Sequence, residues 1–274
     1  MNNESYPPLF NQQSNQTQII DIDEPIQDVE DLDLIPNIDL QCLNCDKLEE
    51  ACKNWDLFRL INHGIPSKLM TQIQDQARNL FCLSFEHKQS ILSSPLSYFW
   101  GTTFRAISRV ALRSPNTISW VKIINFPLVG LLEFKSLIDE YGRHQARLAR
   151  TIYESMAKNH SLDLRPSESY LSELTGFIRV HRYPQIPKGN QAWGVGVHTA
   201  STVLSILNPD QLGGLQVFKD NKWIPVKPIA DSLIINLGDM MQSKCEEVRG
   251  PNLNKLFCVS TICTIQSSKY NPFT

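Results

Sequence analysis

Cys42-Leu43-Asn44-Cys45, with Cys52 close behind, has the two-residue spacing at which thiolates grip zinc. Such a site needs a second pair downstream, and none follows at that spacing, so these thiols read as structural. Cys245, Cys258 and Cys263 could join His198 around a metal, but nothing in their spacing supports it. His63 sits in Asn62-His63-Gly64 and reads as a hydrogen-bonding residue within a turn. His87, His144 and His160 fall on helical stretches as surface or half-buried residues. His181 alternates onto the same strand face as Tyr183, where it would border a pocket.

The elements that must position these groups follow from periodicity. Ile35–Leu40 and Leu57–Ile61 read as short strands, the second stopped by Asn62-His63-Gly64. Asp46 with Glu49 reads as a capping pair for a helix ending near Asn54. A helix is predicted from Ser67 to about Leu92, with Met70, Ile73, Ala77 and Leu80 on one face. Another spans Glu133 to His160, with Leu137, Tyr141, Leu148, Ile152 and Met156 as its buried stripe. Ser93 to Gly130 reads as irregular, and a short helix is expected over Pro166–Tyr170. After Gly176 the pattern turns to β: Phe177–Tyr183, Thr202–Leu207, Gly214–Phe218, Trp223–Val226 and Ser232–Leu237. Asp220-Asn221 supplies a tight hairpin turn. Helices first and strands after give an α+β chain with a sandwich or barrel at its C-terminal end.

Four segments together resemble the plant 2-oxoglutarate/iron(II)-dependent dioxygenases, the group that includes gibberellin oxidases and is related to isopenicillin N synthase. They are Ile35–Leu40, Trp55–Pro66, Arg179–Pro184, and the stretch from Trp193 to Gln242. The last contains Gly196-Val197-His198-Thr199, Gly213-Gly214-Leu215-Gln216-Val217 and Asn236-Leu237-Gly238-Asp239. The resemblance implies a double-stranded β-helix, or jelly roll, behind a helix-and-strand region. It implies Fe(II) on two His and one carboxylate, 2-oxoglutarate as cosubstrate, and oxidation of a small plant metabolite such as a gibberellin-like acid. Under it, His198 is the first metal ligand and Tyr183 helps to bind the cosubstrate. The metal supplies the hard chemistry, and the protein binds and orients.

The chain departs from that pattern at the site itself. The family's first ligand pair is His-x-Asp, but Ala200 stands where the carboxylate belongs. No His follows His198, and the one later Arg, Arg249, precedes Gly250-Pro251 where the family has Arg-x-Ser. Iron halogenases also carry Ala or Gly at the carboxylate position, with chloride in its place. They keep both His, however, so that reading suits this chain poorly. Ser243–Pro251 leaves the family pattern, and Gln266–Thr274 resembles a later part of it. A deletion or splicing error between Gln242 and Ser267, with an early stop, would account for this. No catalytic residue is therefore expected. Three readings stay open: an inactive remnant, a working enzyme with ligands from unexpected residues, or a non-catalytic binder that keeps the pocket.

The expected organisation is a disordered leader over 1–34, an N-terminal dioxygenase region over 35–165, and a jelly-roll domain over 166–274, truncated after about 242. A barrel missing strands exposes unpaired edges, so the product should be poorly soluble or marginally stable. Net charge is −2 without a run of Lys and Arg, which argues against a nucleic-acid partner. No apolar run suits a membrane span. Seven Cys and no secretory signal fit reduced thiols in the cytoplasm. The expected state is a monomer whose partner is a small-molecule substrate.

Overall fold

The computed structural model describes residues 33–84, 86–87, 98–99, 116–121, 132–160, 177–183, 200, 203–220, 222–239, 241, 257–258 and 264–266. Strand β1 (Asn37–Asp39) leads to helix α1 (Cys45–Asn54) and strand β2 (Leu57–Ile61). Helix α2 (Ser67–Cys82), strands β3 (Tyr98–Phe99) and β4 (Asn116–Val121), and helix α3 (Leu132–His160) follow. The strand-rich part holds β5 (Phe177–Tyr183), β6 (Leu204–Leu207), β7 (Gln216–Lys219), β8 (Lys222–Pro225), β9 (Leu233–Leu237), β10 (Phe257–Cys258) and β11 (Thr264–Gln266).

Among the described residues the strands form three sheets, ordered β1-β2-β9-β6, β10-β7-β8 and β11-β5-β4-β3. The first positions everything that follows. Successive residues of a strand point to opposite faces, and both faces here are apolar. Phe58 and Leu60 of β2, Leu233, Ile235 and Leu237 of β9, and Ile206 of β6 pack against the helices. Leu57, Leu207 and Ile234 turn the other way and meet Val217 and Ile224 of the second sheet and Val226 just after it. The layers are therefore helices, sheet, sheet. Burial on both sides is why β2 is apolar at every position but Arg59, with no polar alternation.

The helices form where their apolar stripes can cover the first sheet. Met70, Ile73, Ala77 and Leu80 of α2 are buried, as are Tyr141, Leu148, Ile152 and Met156 of α3. Phe134, Ile138, Tyr153 and Ala157 widen the α3 stripe, and Leu137 is only partly buried beside it. At Gly142 α3 passes β5, where a Cβ would stand in ordinary contact, 3.9 Å from the Ile178 side chain. The turn between β7 and β8 has Lys219 opposite Lys222, a two-residue connection with Asp220 at φ +50°. Left-handed backbone at that position is what a tight hairpin requires.

Several expectations change. The N-cap of α1 is Asn44, two residues before the expected Asp46: its side-chain oxygen accepts the Lys47 N–H at 3.0 Å. Helix α2 stops at Cys82 instead of continuing to Leu92, because Leu83 turns extended (φ −60°, ψ 155°). Ser84 then opens a new turn by accepting the His87 N–H at 3.1 Å. The stretch read as irregular contains β3 and β4, and β4 pairs along its length with β5. The helix expected over 166–170 lies outside the described residues. So does all of the leader except Asp33 and Leu34.

Candidate metal centre

The connection into β6 is fastened to the end of β9. The Asp239 N–H donates to the Ala200 carbonyl at 2.7 Å, and the Gly238 N–H donates to the Val203 carbonyl at 2.9 Å. The Leu237 N–H donates to the Asp56 carbonyl at 2.8 Å, so the entrance to β2 joins the same corner. Asp56 itself adopts φ +51° there. Position 200 is thus held by backbone bonds that do not depend on its side chain.

What it holds is a half-buried methyl group. Ferrous iron with oxygen chemistry needs two imidazoles and a carboxylate on one face, and Ala200 offers no donor. His198 lies outside the described residues. Tyr183 closes β5 with its backbone opposite Gln266 of β11. Among the described residues no three His, Cys, Asp or Glu side chains are grouped to hold an ion. Ala200 does not fit the carboxylate position of the iron site that the sequence resemblance implies.

The remaining candidates sit apart from this corner. Cys42 is exposed before α1, Cys45 is in its first turn, and Cys52 is buried with its Sγ 3.8 Å from Met156 Sδ. Asp39 accepts from Asn62 Nδ2 at 2.8 Å and from the Gln41 and Cys42 amides at 2.9 and 3.4 Å. The Asn62 bond, aided by those amides, lowers its pKa below the ordinary carboxylate value. Trp223 of β8 packs its ring 5.1 Å from that of Phe218 across the hairpin.

His63 works within its turn, as its place after a strand suggested. Its Nδ1 accepts the Ile65 N–H at 3.1 Å, and its carbonyl accepts Arg147 Nη2 of α3 at 2.9 Å. Asn62 (φ +52°) and Gly64 (φ +72°) supply the left-handed backbone of that turn. Burial pushes the imidazole pKa below 6.5, with Arg147 and His144 acting the same way and the Asp231 backbone and charge opposing. Protonation would also set an Nδ1–H against the Ile65 N–H. A depressed histidine pKa contributes stability that is complete above the unfolded value and lost as pH falls through the folded one. The wild-type chain should therefore lose stability as pH falls below about 6.5, and His63→Asn should lose less. Urea midpoints across that range check this; parallel slopes for the two chains would refute the assignment.

Sequence reasoning missed Arg59. It is wholly buried in β2, and the one signal was a cation inside an apolar run, Leu57-Phe58-Arg59-Leu60-Ile61.

Comparison with known proteins agrees with this architecture. Residues 174–245 match the 2OG-Fe(II) oxygenase superfamily, and residues 25–124 match the non-haem dioxygenase in morphine synthesis N-terminal family. Gibberellin 2-beta-dioxygenase 8 of Arabidopsis thaliana is 31% identical over 205 residues, covering 72% of this chain and 59% of that protein. Gibberellin 2-beta-dioxygenase 6 of Oryza sativa subsp. japonica is 29% identical, covering 72% of this chain and 58% of that protein. The chain thus spans less than two thirds of the length of these relatives. The crystal structure of JOX2 in complex with 2OG, Fe and JA superposes with TM-score 0.68 at 26% identity, covering 83% of this chain and 71% of that one. The 2-oxoglutarate complex of the Arabidopsis thaliana dioxygenase for auxin oxidation 1 shares the fold, with TM-score 0.63 at 21% identity, covering 85% and 89%. The chain belongs to the 2OG-Fe(II) oxygenase superfamily and has its α+β, jelly-roll fold.

Proposed function

We propose that this chain is a dioxygenase-family protein with a degenerate iron site, inactive in this form toward the small plant metabolite its relatives would suggest. Ala200 carries the reading: a methyl group occupies the carboxylate position. His198 and Tyr183 are what the chain retains of the family's site, as metal ligand and cosubstrate contact. The gibberellin 2-beta-dioxygenases among its relatives support a gibberellin-like acid as the ancestral substrate class. A second reading is a non-catalytic binder of such a molecule; the backbone bonds at Ala200, which do not depend on its side chain, support it. In either case the chain acts as a cytoplasmic monomer.

An anaerobic titration with iron(II) and 2-oxoglutarate tests the proposal. The purified chain should develop no visible charge-transfer band of the chelate. A saturable band would mean that His198 has found other ligands and that the chain is an enzyme. Iron-independent, saturable binding of a gibberellin would select the second reading.

A further inference from the structure

Arg59 organises the edge of the sandwich away from the Ala200 corner. Its side chain is fully buried on the face of β2 shared with Leu57. Nη1 donates to Asp33 Oδ2 at 2.8 Å and to Asn37 Oδ1 at 3.0 Å. Nη2 donates to the Lys227 carbonyl at 2.8 Å and to Asp33 Oδ1 at 3.3 Å. Both terminal nitrogens thus grip one carboxylate and still reach β1 and the β8–β9 connection. The backbone adds a matching contact, the Arg59 N–H donating to the Pro36 carbonyl at 2.8 Å. Between Asp33 and Pro36, Ile35 is 2% exposed and packs with Leu57, Val217, Ile224 and Ile234 between the two sheets.

We propose that Asp33–Pro36 is a releasable strap, keyed to Arg59 by the Asp33 carboxylate and plugged into the sandwich by Ile35. The two ends of the ion pair differ in how readily they can move. Arg59 sits in a central strand, fully desolvated, and cannot reach water without taking β2 apart. Asp33 keeps 26% of its side chain in solvent and is followed by Leu34, itself 44% exposed. When Asp33 leaves, the guanidinium keeps the Asn37 and Lys227 oxygens, so β1 and the β8–β9 connection have a remaining anchor. Strand β1 is three residues long and, among the described residues, pairs with β2 alone. Release of the strap therefore opens the Arg59–Pro36 bond, while β1 and the helical layer stay packed. The strap is a conformational device set by one ionic contact, independent of whether the iron site works.

Amide hydrogen exchange on the full chain tests this. Asp33→Asn removes the key without removing the buried cation. Asp75→Asn, which breaks the exposed Asp75–Arg78 pair (57% and 47% exposed), is the control. In Asp33→Asn the Arg59 amide should exchange at least about tenfold faster, with the Leu40, α2 and α3 amides unchanged. The control should match wild type throughout. Wild-type protection at Arg59 in Asp33→Asn would overturn the strap. So would equal acceleration across α2 and α3, which would make Asp33 an ordinary contributor to global stability.

Discussion

Replacing Ala200 by Asp should raise the affinity of the chain for Fe(II) by at least about tenfold, equivalent to about 1.4 kcal/mol, and should restore no turnover. The argument rests on where position 200 is held. Its carbonyl is tied to the Asp239 amide at 2.7 Å, and the neighbouring Val203 carbonyl to Gly238. An aspartate there enters a position whose carbonyl is already fixed by a backbone bond. With His198 two residues earlier, the chain gains a second protein ligand. It still lacks the second imidazole and the Arg-x-Ser grip, so succinate should not form. Anaerobic Fe(II) titration of the two proteins reads the first effect, and a succinate assay reads the second. Equal affinities would show that position 200 does not address His198. Succinate formation would show that the missing ligands are supplied elsewhere, and the inactive reading would fall.

The largest effect on stability is expected from Phe58→Ala. Phe58 has no exposed surface and packs in the cluster that joins the first sheet to all three helices. Truncating a buried phenylalanine costs about 3–5 kcal/mol, because transfer free energy is lost and a cavity remains. Total stabilities are about 5–15 kcal/mol, so this one change takes a large share, and all of it if the chain is marginal. The variant should lose its cooperative transition or collect in the insoluble fraction. Leu34→Ser, at a 44% exposed position, should stay within about 0.5 kcal/mol of wild type. Thermal melts of the three proteins decide the matter. A reversible wild-type melt well above ambient temperature would also contradict the marginal stability inferred from an incomplete barrel. A small loss in Phe58→Ala would mean that the helical layer is not seated as described.

Much of the fold was readable because its signals are local. The buried stripes of α2 and α3 follow helical spacing, and Asp220-Asn221 marks a turn that only a few residue types tolerate. The failures have physical causes. A helix was expected to run on to about Leu92, whereas it ends where Leu83 turns extended and Ser84 accepts the His87 N–H. Strand β4 was missed although Thr117, Ile118 and Val121 are β-branched; its pairing with β5 joins segments far apart in sequence. Arg59 was passed over because a charge in a strand is ordinarily assigned to a solvent face. Here helices cover one face and a second sheet the other, so no solvent face exists. The candidate site was legible as an absence, since Ala200 can be read directly. The backbone bonds that preserve its surroundings could not be.

The pairing of β2 with β9 has a consequence for synthesis. Leu57 lies opposite Asn236, roughly 180 residues later. At about 5–20 residues per second, β2 leaves the ribosome on the order of ten to forty seconds before its central partner exists. Through that interval α1 and α2 can coil locally, but Phe58 and Leu60 have no complete sheet on which to close the core. The nascent chain therefore carries an apolar, half-templated strand for most of its translation, and chaperones have the whole of that window in which to act on it.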